Sequence, residues 1–256
     1  MTAPRQARGP IIALITTAVV LVTVFAGLLI VLSARQSNPS PGPVPLPKPT
    51  TTKPQDPIAQ QPAGPPATGE LKERVDQAYG TFEPIARSGT GPAVIELPEG
   101  ARRGLVWIKT DGASFLTVRA ASLNQSPTPL FYTGDAMEGI VPIAVRKGAD
   151  LPERLIVEAT DASWQIEVRP VSTAPVLTDS ASGKGMAVLI HDGPARKVRL
   201  DYRGESNFIV TQHGAERTTH HVNEIGASSV EATLVEGLTV LEIEAWHGGE
   251  WSVVAD

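Results

Sequence analysis

The stretch GESNFIV, Gly204–Val210, has an earlier counterpart in GASFLTV, Gly112–Val118. A chain that repeats itself in this way is constrained to build one structural unit twice. Further matches extend the pair. SGTGPAVIEL (Ser88–Leu97) echoes SGKGMAVLIH (Ser182–His191), and VWIKTDGASF (Val106–Phe115) echoes VRLDYRGESN (Val198–Asn207). LIVEATDASWQIEV (Leu155–Val168) echoes LEIEAWHGGEWSVV (Leu241–Val254), with Ala159 over Ala245 and, after a shift of one residue, Trp164 over Trp251. The offsets fall from 94 to 92 to 86 and 87 along the chain, as loops of unequal length would cause. The segment Pro127–Val145 matches Thr218–Leu234 poorly.

Within each copy the apolar residues recur at every second position: Val198, Leu200, Tyr202; Phe208, Val210; Leu241, Ile243, Ala245; Trp251, Val253. That period is the mark of half-buried antiparallel strands. Asp111-Gly112, Asp192-Gly193, Glu236-Gly237 and Gly248-Gly249 supply turns between them. The pattern predicts about seven short strands per copy. The expected fold is therefore all-β: two tandem antiparallel, jelly-roll-like β-sandwiches over residues 81–171 and 178–256, with Trp164 and Trp251 plugging their cores.

Ahead of the repeats, Ile11–Leu32 is a run of 22 residues without a charge. At about 1.5 Å per residue it is long enough for a hydrocarbon core of about 30 Å. It predicts an uncleaved transmembrane signal anchor over residues 11–33. Arg5 and Arg8 precede the run and only Arg35 follows closely, which puts residues 1–10 in the cytoplasm and the rest outside. Residues 39–66 then hold 11 prolines in 28 positions. Proline excludes helix and sheet, so residues 34–69 read as an extended stalk, of which residues 39–66 alone span on the order of 85 Å at about 3.1 Å per residue. Residues 70–80 (ELKERVDQAYG) suit a short connecting helix with Leu71, Val75 and Ala78 on one face and a Glu70–Arg74 pair.

Composition excludes several functions. There is no cysteine, so no disulfide, thiolate nucleophile or cysteine-bound zinc. From Tyr79 onward the chain has 15 Lys and Arg against 23 Asp and Glu, a net charge of −8. That opposes nucleic acid and an anionic membrane surface as partners. No G-x-S-x-G elbow or D-x-D-x-D-G calcium loop is present. All five histidines, His191, His213, His220, His221 and His247, fall in the second copy. Two or three of them could meet at a metal ion or sense acid, the other reading being solvated polar positions. Adjacent His220 and His221 point to opposite faces of a strand and cannot both join one site. No catalytic residue, metal or cofactor is assigned.

The string Gly204-x-Ser206-Asn207-Phe208-x-Val210, Asn223-x-Ile225-Gly226, Leu241-x-Ile243-x-Ala245 and Trp251 resembles a β-sandwich repeat. That repeat occurs in exported and membrane-anchored proteins of high-GC Gram-positive bacteria. It is more remotely similar to the jelly-roll modules that follow secreted bacterial peptidases. The resemblance covers Asp179–Asp256 and departs in the first copy, where Phe115 stands in place of Asn207. It implies an exported, non-enzymatic accessory domain.

Four residues are candidate contacts. Trp107 is out of phase with Val106 and Ile108, and Trp246 aligns with Thr160, so both fall outside the core pattern. Each is a candidate for stacking on a sugar ring or gripping a partner, the other reading being that they fill the interface between the copies. Glu205 and Asn207 belong to the second copy alone and are the other two. The expected function is a membrane-anchored, extracytoplasmic binding protein of the cell envelope, directed at a cell-wall glycan or an envelope protein. The alternative is a scaffold subunit of a membrane complex with no ligand of its own.

Overall fold

The first copy runs through β1 (Ile85–Thr90), β2 (Ala93–Glu96), β3 (Gly104–Thr110), β4 (Leu116–Ala121), β5 (Thr128–Thr133), β6 (Met137–Ile143), β7 (Arg154–Ala159) and β8 (Ser163–Arg169). These form two four-stranded sheets, β1-β8-β3-β6 and β2-β7-β4-β5. The second copy comprises β9 (Ser180–Lys184), β10 (Ala187–Gly193), β11 (Arg196–Arg203), β12 (Asn207–His213), β13 (Thr218–Ile225), β14 (Ser228–Leu234), β15 (Gly237–Ala245) and β16 (Glu250–Ala255). Its sheets, β9-β16-β11-β14 and β10-β15-β12-β13, repeat the strand order of the first. Each copy is thus an eight-stranded jelly roll, one strand more than the turn spacing predicts. The computed structural model describes residues 64–255 except Asn124 and Glu216. The apolar run Ile11–Leu32 and most of the proline-rich segment lie outside the described residues. Among the described residues no helix is long and apolar enough to cross a membrane.

Each jelly roll closes over its own core. Val106, Ile108, Val118, Phe131, Val157 and Ile166 fill the first; Val198, Leu200, Phe208, Val210, Ile243 and Val253 fill the second. The Ser-Gly-x-Gly motif in both copies has a packing reason. Gly89 faces Trp164 across the β1–β8 register, and Gly183 faces Trp251 across β9–β16. A Cβ at Gly89 would lie 2.9 Å from the Trp164 ring, and one at Gly183 would lie 2.6 Å from Trp251. The indole N–H of Trp164 donates to Gly91 O at 2.8 Å, and that of Trp251 to Gly185 O at 3.0 Å. One glycine makes room for the ring and the next receives its polar edge.

A third cluster joins the two jelly rolls. Leu105, Trp107, Ile140 and Val145 of the first meet Val188, Ile190 and Val240 of the second. β3 and β10 are therefore buried on both faces, which erases their alternation. The backbone takes part, since Ile140 N–H donates to Met186 O at 3.1 Å. The helix α1 (Gly69–Tyr79) also enters this cluster, with Val75 fully buried and Leu71 and Tyr79 packed beside it. Ala78, expected on the packed face, is exposed; the row runs at i, i+4, i+8 instead. Arg74 pairs with Asp192 of the second jelly roll rather than with Glu70, and Lys72 pairs with Asp76. Too short to be stable alone, the helix is held by the seam it covers.

Candidate binding surface at the seam

β15 explains how the seam acquires its chemistry. Leu238 and Val240 on its outer face pack in the interdomain cluster, and the same face continues through Glu242 and Glu244 to Trp246. Trp246 opens a 3-10 turn, Trp246–Gly248, and packs against the core of the first jelly roll. The Tyr202 hydroxyl donates to Trp246 O at 3.3 Å and ties the turn down. Tyr202 itself stacks on Phe208, with ring centroids 4.7 Å apart and planes 2° from parallel. Gly204 and Gly249 flank it so closely that a Cβ at either would fall 2.2 and 2.3 Å from Tyr202 atoms.

Trp246 is one end of an aromatic strip that crosses the seam. Tyr132 on β5 meets it with centroids 4.6 Å apart and planes at 42°. Phe115, just before β4, meets Tyr132 with centroids 6.4 Å apart and planes at 24°. Phe115 and Tyr132 remain 56% and 50% exposed. His247 holds a left-handed backbone (φ 54°, ψ 31°), a conformation that costs a non-glycine residue free energy. There its Nδ1 lies 3.1 Å from Asp135 Oδ2 of the first jelly roll, a second link across the seam.

Carboxylates line the flank. Burial pushes the Glu244 carboxyl up to about 7, and the neighbouring Glu242 charge pushes the same way. The Trp246 indole N–H and the His213 ring oppose this shift. That indole N–H faces Glu244 but makes no well-aligned hydrogen bond among the described residues. Glu242 is held by His213, whose Nε2 lies 2.8 Å from Glu242 Oε2.

The four candidate contacts separate here. Trp246 and Glu205 line one open depression, together with Arg203, Lys184 and Glu250. Asn207 begins β12, exposed, opposite Ile225. Trp107 does not join them. It is 3% exposed, donates to Glu138 Oε1 at 3.0 Å, and carries the Arg169 guanidinium 5.5 Å above its ring. It fills the interface between the copies and has no surface to offer a ligand, because β3 is covered on both faces. Sequence reasoning missed Phe115 as a contact, along with Tyr132 and Glu244. Their one sequence signal is departure from the repeat: Phe115 replaces the Asn207 equivalent, and Tyr132 lies where the copies align poorly.

The histidines disperse. His191 is 2% exposed inside the second jelly roll, where the first copy has Leu97. Burial, then the Arg196 charge, holds its pKa below the ordinary value. It sits by a polar cluster in which the Gln212 amide donates to Thr239 Oγ1 at 2.8 Å and Gln212 Oε1 lies 2.9 Å from His221 Nε2. His220 Nδ1 instead lies 3.1 Å from Thr211 Oγ1. Among the described residues no three His, Asp or Glu side chains are grouped to hold a metal ion.

No family model matches the chain, and no curated protein matches it. Two solved structures are similar in part. One is A223, a turret protein in Sulfolobus turreted icosahedral virus, at 11% identity and a TM-score of 0.24, covering 68% of this chain and 97% of that one. The other is the stem and receptor binding domain of the spike protein P1 from bacteriophage PM2, at 8% identity and a TM-score of 0.19, covering 68% and 97%. Both scores are too low to carry an argument about this chain.

Proposed function

We propose that this chain is a single-pass, membrane-anchored binding protein of the cell envelope, with its two jelly rolls outside the membrane and no enzymatic activity. The uncharged run Ile11–Leu32 and the positions of Arg5 and Arg8 support the anchor and its direction. The proline-rich segment supports a stalk that lifts the head from the bilayer. The observation that carries the binding reading is the exposed pair Phe115 and Tyr132 on the first jelly roll, backed by half-buried Trp246 of the second. Two rings left in solvent and fixed from behind by a third that packs on the core are preorganised for recognition.

Two measurements test this. Protease added to intact cells should release the folded head, while the N-terminal segment stays in the membrane pellet after alkaline washing. A head protected in intact cells reverses the topology. The full chain in detergent should also retain envelope material in a manner that substitution in the strip abolishes. The scaffold reading draws on a different observation: α1 packs in the cluster that joins the two jelly rolls and pairs through Arg74 with Asp192 of the second. Retention of nothing through the strip leaves that reading in place.

A further inference from the structure

Resting on the proposed membrane anchor for the source of pull, we infer that residues 64–79 are a tension-released strap. Pull from the N-terminal side peels them off the seam before either jelly roll unfolds. The path of the segment is the first support. Pro66 bridges Pro175 in antiparallel fashion, and Val176 N–H donates to Pro65 O at 3.0 Å. That linker is itself tied to β10, where Leu177 N–H donates to Ile190 O and Ile190 N–H to Pro175 O, both at 2.8 Å. Ala67 and Val75 then enter the interdomain cluster, and α1 packs on the turn Val171–Thr173. Arg74 pairs with Asp192 of the second jelly roll, and Tyr79 ends the helix beside Arg103 of the first. The segment thus lies across the linker and touches both domains.

A difference in strength is the second support. β1, the first strand after the strap, is held to β8 along its whole length, from Ile85 opposite Val168 to Thr90 opposite Ser163. The strap is held to the linker by an isolated bridge, and to the seam by a few apolar side chains and one ion pair. A helix of 11 residues is too short to persist alone, so α1 unwinds once Val75 leaves its site. Release is therefore a single step rather than a gradual stretch. Chain order is the third support. The proline-rich segment runs directly into Gly64, so tension along it reaches the strap ahead of β1. Release takes the cover from Val171 and Ala174, 1% and 0% exposed in the same cluster, and so converts pull into new apolar surface at the seam.

The test is force spectroscopy on the full chain in detergent. The chain is held by a tag at its C-terminus and by one thiol, placed at Gln60→Cys or at Glu83→Cys, since it has no cysteine of its own. Fully extended, residues 64–79 reach about 55 Å at about 3.4 Å per residue, and unwinding α1 alone adds about 20 Å. Unfolding either jelly roll adds on the order of 300 Å. Held at Gln60→Cys, the chain should give a reversible first step of about 20–55 Å, ahead of the long ones. Held at Glu83→Cys, which bypasses the strap, it should give the long steps alone. Val75→Ala should shift the open-to-closed ratio of the short step about 30-fold toward open at fixed force, with the long steps intact. Long steps with no short one before them, a short step that persists from Glu83→Cys, or one that Val75→Ala leaves unchanged overturns the inference. Each of these results leaves the anchor reading standing, because the alkaline wash decides that separately. A chain that washes out of the membrane overturns both, since it has no source of tension.

Discussion

Replacing Glu244 by Gln should change how stability depends on pH, in a direction set by the buried carboxyl. Its ordinary pKa is 4.5, and burial with the Glu242 charge raises it to about 7. The folded state therefore holds the proton more tightly than the unfolded chain does. Stability from this group is full below pH 4.5, falls as pH rises, and is lost by about pH 7. Each pKa unit corresponds to about 1.4 kcal/mol, so the whole shift is worth roughly 3 kcal/mol, and partial solvent access reduces this to about 2. Glutamine keeps the shape and removes the charge. At pH 8 the variant should be the more stable by about 2 kcal/mol, a melting temperature about 4–8 °C higher for a domain pair of this size. Near pH 5 the two should converge. The assay is thermal unfolding of both proteins from pH 4.5 to 8.5, and the quantity of interest is their difference. Titrations that act on both proteins alike cancel in it. Parallel curves would refute the reasoning, since they would mean that the carboxyl is hydrated in the folded protein.

Other perturbations have expected outcomes. Gly183→Ala forces a Cβ to within 2.6 Å of Trp251, and Gly89→Ala to within 2.9 Å of Trp164, so both should destabilise by about 1–3 kcal/mol with the first worse; equal melting temperatures would show that the indoles are free to shift. His191→Leu installs the residue found at the equivalent site of the first copy. Because burial lowers the His191 pKa, its contribution is present above pH 6.5 and lost as pH falls, so the variant should lose less stability in acid; an unchanged acid limb counts against this. Val75→Ala should cost about 2 kcal/mol and make Gly69–Tyr79 the first segment cut in limited proteolysis; uniform protection would show that α1 does not depend on that contact.

How far the sequence could be read differs from element to element. Trp164 and Trp251, with Gly89 and Gly183, could be matched by spacing alone, because a close approach of backbone to ring restricts the residue types on both sides. The shared glycine of the two opening stretches is less uniform than the alignment implies. Gly112 takes a left-handed backbone (φ 71°) against Ala136, whereas Gly204 makes room for Tyr202. One aligned letter thus serves two local constraints. Of the four candidate contacts, Trp246 and Glu205 share one depression, Asn207 is exposed at the start of β12, and Trp107 lies in the seam.

Sequence alone determined the all-β class, the duplication, the core face of most strands and the charge balance. These depend on the two-residue period of a strand and on local turn chemistry, which act within a few residues of each position. Only the tertiary structure decided the docking of one jelly roll on the other. That docking buries the second faces of β3 and β10, turns Trp107 into core, and gives the short helix α1 a place to fold. It also brings Phe115, Tyr132 and Trp246, more than a hundred residues apart at their extremes, into one strip. Contacts between separately closed domains leave no periodic trace in either one, so the candidate site was visible in sequence only where the copies differ.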